Sequence, residues 1–74
     1  MANEEEKMQG TVKFFNERKG YGFISVDDSA DYFAHENQLV GEFLPNKNDR
    51  VEFVPDKDRN GRSYARKITI IDGA

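Results

Sequence analysis

The chain has 74 residues, room for one domain with one small core. It has no cysteine, so no disulfide or thiolate-metal chemistry is available, and its formal charge is -3. A net acidic chain argues against binding nucleic acid through bulk charge alone, but the charge is unevenly spread. Glu4, Glu5 and Glu6 crowd an N-terminal stretch, and residues 9 to 74 carry only -1.

Residues 1 to 8 read as a disordered acidic tail without apolar periodicity. They lack the apolar stretch of a signal peptide, and no run approaches membrane-spanning length. A cytoplasmic, monomeric protein is expected. From Gln9 the pattern changes to short apolar and aromatic runs separated by turn residues, the rhythm of an all-β barrel or sandwich.

The first strand is expected over Gln9 to Phe15, followed by a polar turn from Asn16 to Gly20. The second covers Gly20 to Val26, with a turn over Asp27 to Ala30. The third covers Tyr32 to His35, and Glu36 to Leu39 reads as a short helical turn. A long loop, Gly41 to Asp49, holds Pro45. The fourth strand is expected over Arg50 to Val54 and the fifth over Tyr64 to Ile71, joined by a charged loop from Asp56 to Ser63. Five strands with a longer break after the third fit a five-stranded antiparallel Greek-key barrel of the OB type, spanning residues 9–72.

Six of the nine aromatic residues lie between Phe14 and Phe33. Alternate residues of a strand share a face. Tyr21 and Phe23 therefore point one way, and Gly22, Ile24 and Val26 the other. In the third strand Asp31, Phe33 and His35 share a face, and Tyr32 and Ala34 the opposite one. The aliphatic faces belong inside, leaving two neighbouring strands with rings turned outward. Gly20 and Gly22 leave the backbone bare beside those rings, so a nucleotide or another strand could approach closely.

Aromatic residues at period two ordinarily mark a core face, and Phe15, Tyr32 and Phe53 are expected there. That explanation does not serve Tyr21, Phe23 and Phe33, whose strands already offer an aliphatic core face. A patch of flat rings suits unpaired bases of any sequence, and duplex bases are already stacked. Lys13 and Lys19 frame the patch, with Arg18 in the adjoining turn. Arg59, Arg62, Arg66 and Lys67 would reach phosphates if the late loop folds over the same surface. The alternative use of such a face is to dock a protein.

The blocks Val12-Lys13-Phe14-Phe15-Asn16, Lys19-Gly20-Tyr21-Gly22-Phe23-Ile24 and Asp31-Tyr32-Phe33-Ala34-His35 resemble the signature segments of the bacterial cold-shock proteins, in order and spacing. The similarity spans about residues 8 to 70. It implies an OB-type barrel that binds single-stranded RNA and DNA with low sequence selectivity, often favouring pyrimidines. Family members act as RNA chaperones and as regulators of transcription or translation. Carried over by position, the stacking residues are Phe14, Tyr21, Phe23, Phe33 and His35. Lys13 and Lys19 contact backbone or base edges, Asn16 sits at the margin, and Phe43 stands for a loop aromatic.

The chain departs from that pattern at several points. Phe14 stands where the family usually has tryptophan, and Tyr21 replaces a common phenylalanine. Tyr32 and Ala34 replace two aliphatic core residues, one larger and one smaller. Glu36 takes an aromatic position, where a carboxylate should repel phosphate.

His35 is the single histidine, with only Asp31 and Glu36 near it in sequence, so neither a metal site nor a cofactor is expected. Ser25, Ser29 and Ser63 have no accompanying histidine motif, and the chain is not expected to be an enzyme.

Overall fold

The computed structural model describes residues 6–27, 30–41 and 44–73. Five strands follow one another as β1 (Met8–Asn16), β2 (Tyr21–Val26), β3 (Ala30–His35), β4 (Arg50–Lys57) and β5 (Ser63–Asp72). A single turn of 3-10 helix, Glu36–Gln38, follows β3. The strands close into a barrel in the order β1-β2-β3-β5-β4.

Four junctions are antiparallel: β1 with β2, β2 with β3, β1 with β4, and β4 with β5. The fifth, between β3 and β5, is parallel, with Phe33 beside Tyr64. An odd number of strands cannot alternate direction all the way round a closed ring. The expected antiparallel barrel therefore carries one parallel seam, which Leu39 extends by bridging to Ile68 in the same sense.

The interior holds Val12, Ile24, Val26, Ala34, Val51, Phe53, Ala65 and Ile68, with Met8, Phe15, Tyr32, Leu39 and Ile70 packed against them. Phe53 is fully enclosed, and the Tyr32 ring lies 5.1 Å from it. Phe15, Tyr32 and Phe53 thus take the core positions expected of them. Ala34 pairs across the hairpin with Gly22, so two small residues meet there while Tyr32 fills space one step along the strand. Among the described residues, no buried side-chain nitrogen or oxygen lacks a hydrogen-bond partner.

β1 and β5 each run one residue further at both ends than apolar patterning indicates, and β3 and β4 run two or more residues further at one end. β3 begins at Ala30, because Ala30 and Asp31 continue the ladder opposite Val26 and Ser25. β4 continues through Pro55 to Lys57, pairing with β5. Its contact with β1 ends where Phe53 meets Met8. The flank beyond is an edge, where a proline that donates no hydrogen bond is tolerated.

The approach to β4 is fastened by Asp49, which is buried. Its carboxylate accepts the backbone N–H of Asn46 at 2.8 Å, and its carbonyl accepts the N–H of Val12 at 2.9 Å. Asn48, at φ +76°, donates its own N–H to the Val12 carbonyl. The loop thereby continues the β1–β4 pairing up to the point where β1 bends.

Candidate nucleic-acid interface

That bend decides which ring of the Phe14-Phe15 pair faces outward. Strict alternation from the buried Val12 would send Lys13 out, Phe14 in and Phe15 out. The β1–β2 register shifts between Val12 and Phe14. This is a β-bulge, in which one extra residue re-aims the side chains that follow. Lys13 and Phe14 both face solvent, and Phe15 turns inward against the core. Phe14 is 42% exposed, and the other outward rings are half-buried against one another.

Cross-strand pairing then sets the rings in rows. Phe14 lies opposite Phe23, and Phe23 opposite Phe33. Tyr21 lies opposite Asn16 on one side and His35 on the other. Ring centroids are 5.8 Å apart for Phe14 and Phe23, 5.7 Å for Phe23 and Phe33, and 5.6 Å for Tyr21 and Phe33. His35 lies 6.2 Å from Phe33. Phe23 and Phe33 meet edge to face, while Tyr21 and Phe33 stack at 29°. Phe14, Tyr21, Phe23, Phe33 and His35 thus form one continuous aromatic surface over β1 to β3.

Gly20, in the β1–β2 turn, and Gly22, in β2, serve the fold rather than an incoming base. A Cβ on Gly22 would fall 2.1 Å from the Phe14 carbonyl oxygen and 2.7 Å from the Phe15 Cα. The close approach is therefore made by the β1 backbone at its bulge. Gly20 sits at φ +76°, and a Cβ there would meet the Glu36 carboxyl carbon at 2.7 Å. The Glu36 N–H donates to the Gly20 carbonyl at 2.9 Å. Glu36 accordingly folds back over the β1–β2 turn, at the end of the row that holds Tyr21 and His35.

Several polar residues are already engaged. Lys13 donates to Asp31 at 2.8 Å, a pair that crosses the outer face beside Phe14 and Phe23. Asn16 shapes the turn. Its side-chain oxygen accepts the Lys19 N–H at 3.0 Å and its carbonyl accepts that of Gly20 at 2.8 Å. His35 caps the 3-10 helix, with Nδ1 accepting the Asn37 N–H at 3.1 Å. That bond leaves the imidazole proton on Nε2 in the neutral tautomer.

Lys19 and Arg18 are exposed in the β1–β2 turn. Arg62 comes to the edge of the aromatic surface, lining a groove of about 690 Å³ with Phe33, His35 and Tyr64. Arg59 is exposed in the same turn but does not line that groove, and Arg66 pairs with Asp56 at 3.1 Å. Phe43 lies outside the described residues. Basic Lys13, Lys19 and Arg62 alternate with acidic Asp31, Glu36 and Asp58 around the rings, so the surface carries little net charge. Among the described residues, no three His, Cys, Asp or Glu side chains gather as metal ligands.

Tyr64 is the member of this surface that sequence reasoning missed. It is the second residue of β5, beside Phe33, and the fully buried Ala65 that follows fixes it on the outer side. The signal was present as Tyr64-Ala65, an aromatic next to a small core residue, but nothing local indicates that β5 closes against β3.

The model of the 'Cold-shock' DNA-binding domain matches residues 8–71, from the first residue of β1 nearly to the end of β5. The chain belongs to the cold-shock domain family. Nucleic-acid binding is the property that this membership carries. Cold shock-like protein CspG of Escherichia coli is 42% identical over 67 residues, covering 86% of this chain and 96% of that protein. The major cold shock protein of Micrococcus luteus is 53% identical over 47 residues, 60% of this chain and 70% of that one. Glycine-rich protein 2 of Nicotiana sylvestris is 37% identical over the whole of this chain, which spans only 36% of its length. Among solved structures, the Drosophila Unr CSD456 fragment superposes with a TM-score of 0.76 at 28% identity, over 90% of this chain and 27% of that one. No helix among the described residues is long and apolar enough to cross a membrane.

Proposed function

We propose that this cold-shock domain binds unpaired RNA or DNA of mixed sequence, laying successive bases on Phe14, Tyr21, Phe23, Phe33 and His35. One observation carries the reading: the cross-strand file Phe14–Phe23–Phe33, with centroid spacings of 5.8 and 5.7 Å, turned outward from a barrel with a separate core of its own. Rings with no role in the core, held side by side, offer π-faces that any base can cover, and a duplex has no free base faces to offer. Lys13, Lys19 and Arg62 supply contacts to the strand's backbone, and Asn16 fixes the turn at its margin.

The mixed charge of the surroundings supports stacking as the main source of affinity. Each base stacked is worth roughly 1–3 kcal/mol on truncation, and ordering costs offset much of the sum. The resulting grip is moderate. A protein that binds only the open strand pulls a hairpin's equilibrium toward opening by mass action, without ATP. That is the working principle of an RNA chaperone, or of a regulator acting on transcript structure. A monomer in the cytoplasm, with residues 9–72 as its binding domain, completes the proposal.

The test is a titration of labelled single-stranded and duplex oligonucleotides of equal length at 50 and 200 mM salt. Tight binding of the single strand alone is expected, with a loss of no more than about twentyfold on raising the salt, because at most three phosphates are neutralised. Equal affinity for the duplex, or a loss of several hundredfold with salt, contradicts the stacking account.

A further inference from the structure

The aromatic file does not stop at β3. The parallel seam sets Tyr64 beside Phe33, so the row runs Phe14, Phe23, Phe33, Tyr64 across four strands. The turn that leads into Tyr64 borders the groove already described, which Asp58, Arg62 and Asn37 line. Its volume of about 690 Å³ lies in the range of small-molecule sites.

The β4–β5 turn that forms this border is held in place. Asp58 Oδ1 accepts the N–H groups of both Asn60 and Arg62, each at 2.9 Å. The Asp58 N–H returns a bond to the Arg62 carbonyl at 3.0 Å, and Gly61 donates to the Asp58 carbonyl at 3.0 Å. Both turn bonds to the carboxylate fall on Oδ1, so Oδ2 is not spent on the turn. One carboxylate and one guanidinium therefore stand on a single braced turn, lining the same groove as the Tyr64 and Phe33 rings.

We propose that Tyr64 and the 58–62 turn form an additional base subsite that prefers guanine, an inference that rests on the stacking platform proposed above. The occupant follows from the donor set. Stacking on Tyr64 is indifferent to sequence, but the rim is not. A carboxylate accepts a donor pair, and a guanidinium donates to an acceptor pair. Guanine offers both, N1–H and N2–H on one edge and O6 and N7 on another. Thymine and uracil present a single N–H flanked by carbonyl oxygens, which a carboxylate repels. The subsite thus reads sequence at one position of an otherwise permissive strand.

The experiment uses the full chain and a fluorescence-anisotropy series. Heptathymidine is compared with seven heptamers that each carry one guanine at a different position. Guanine at one position, or at two adjacent ones, should tighten binding roughly tenfold over thymine. Tyr64→Ala should lower heptathymidine affinity about tenfold and erase the guanine preference. Asp58→Asn retains an oxygen for the two turn bonds and removes the charge, and should bring guanine within about twofold of thymine. Amide spectra of both variants verify the fold. Wild-type protein that binds heptathymidine but favours guanine nowhere overturns the subsite and leaves the platform standing. A guanine preference that survives both variants also overturns it. Failure of the wild type to bind any heptamer removes the platform and this subsite together.

Discussion

Tyr32 and Phe33 are neighbours in the chain and opposites in the fold. Tyr32 leans inward with its ring 5.1 Å from the enclosed Phe53, while Phe33 faces out with Phe23 at 5.7 Å and Tyr21 at 5.6 Å. The spacings are alike, and both clusters hold packings that aromatic rings favour: tilted for the inner pair, and tilted, stacked and edge-to-face for the outer rings. What separates them is strand phase alone. The inner pair packs in the core of the barrel, whereas the outer cluster lies outside that core. An aromatic inventory by itself says nothing of function until the side of the sheet is known.

Substitutions can break this contrast. Phe53→Ala should cost about 3–5 kcal/mol in a urea-unfolding measurement, enough to leave so small a domain largely unfolded. Phe33→Ala should change stability by no more than about 1 kcal/mol and weaken binding of a short pyrimidine oligonucleotide by about 1–3 kcal/mol. If Phe33→Ala unfolds as readily as Phe53→Ala, the outer cluster is structural and the contrast collapses. The smallest effect belongs to Glu36, whose carboxyl folds over Gly20 beside the Tyr21–His35 row. Glu36→Gln keeps that shape and removes the charge, and should tighten oligonucleotide binding by about 0.5 kcal/mol. Unchanged affinity would place the bound strand away from that end of the row.

The five strands and the outward phase of Tyr21, Phe23, Phe33 and His35 were legible because each of β2 and β3 carries an uninterrupted period of two. Phe14 was not legible in this way. Its exposure depends on a bulge at Lys13, and an extra residue in a ladder leaves no trace in apolar spacing. The resemblance to cold-shock proteins supplied its orientation instead. Pro55 and the charged Asp56-Lys57 ended β4 too early on paper, because pairing on one flank suffices to continue a strand. Gly22 was read correctly as a place of close approach, but the visitor is β1. Tyr64 stayed hidden because its role depends on the parallel seam, a contact between segments some thirty residues apart in sequence.

The most direct measurement is side-chain NMR of the aromatic rings during titration with an unlabelled thymidine heptamer. Stacked bases shift ring protons beneath them, so Phe14, Tyr21, Phe23, Phe33 and His35 should move together with the binding isotherm while Phe53 stays still. Saturable binding that leaves those five rings unmoved would contradict the account.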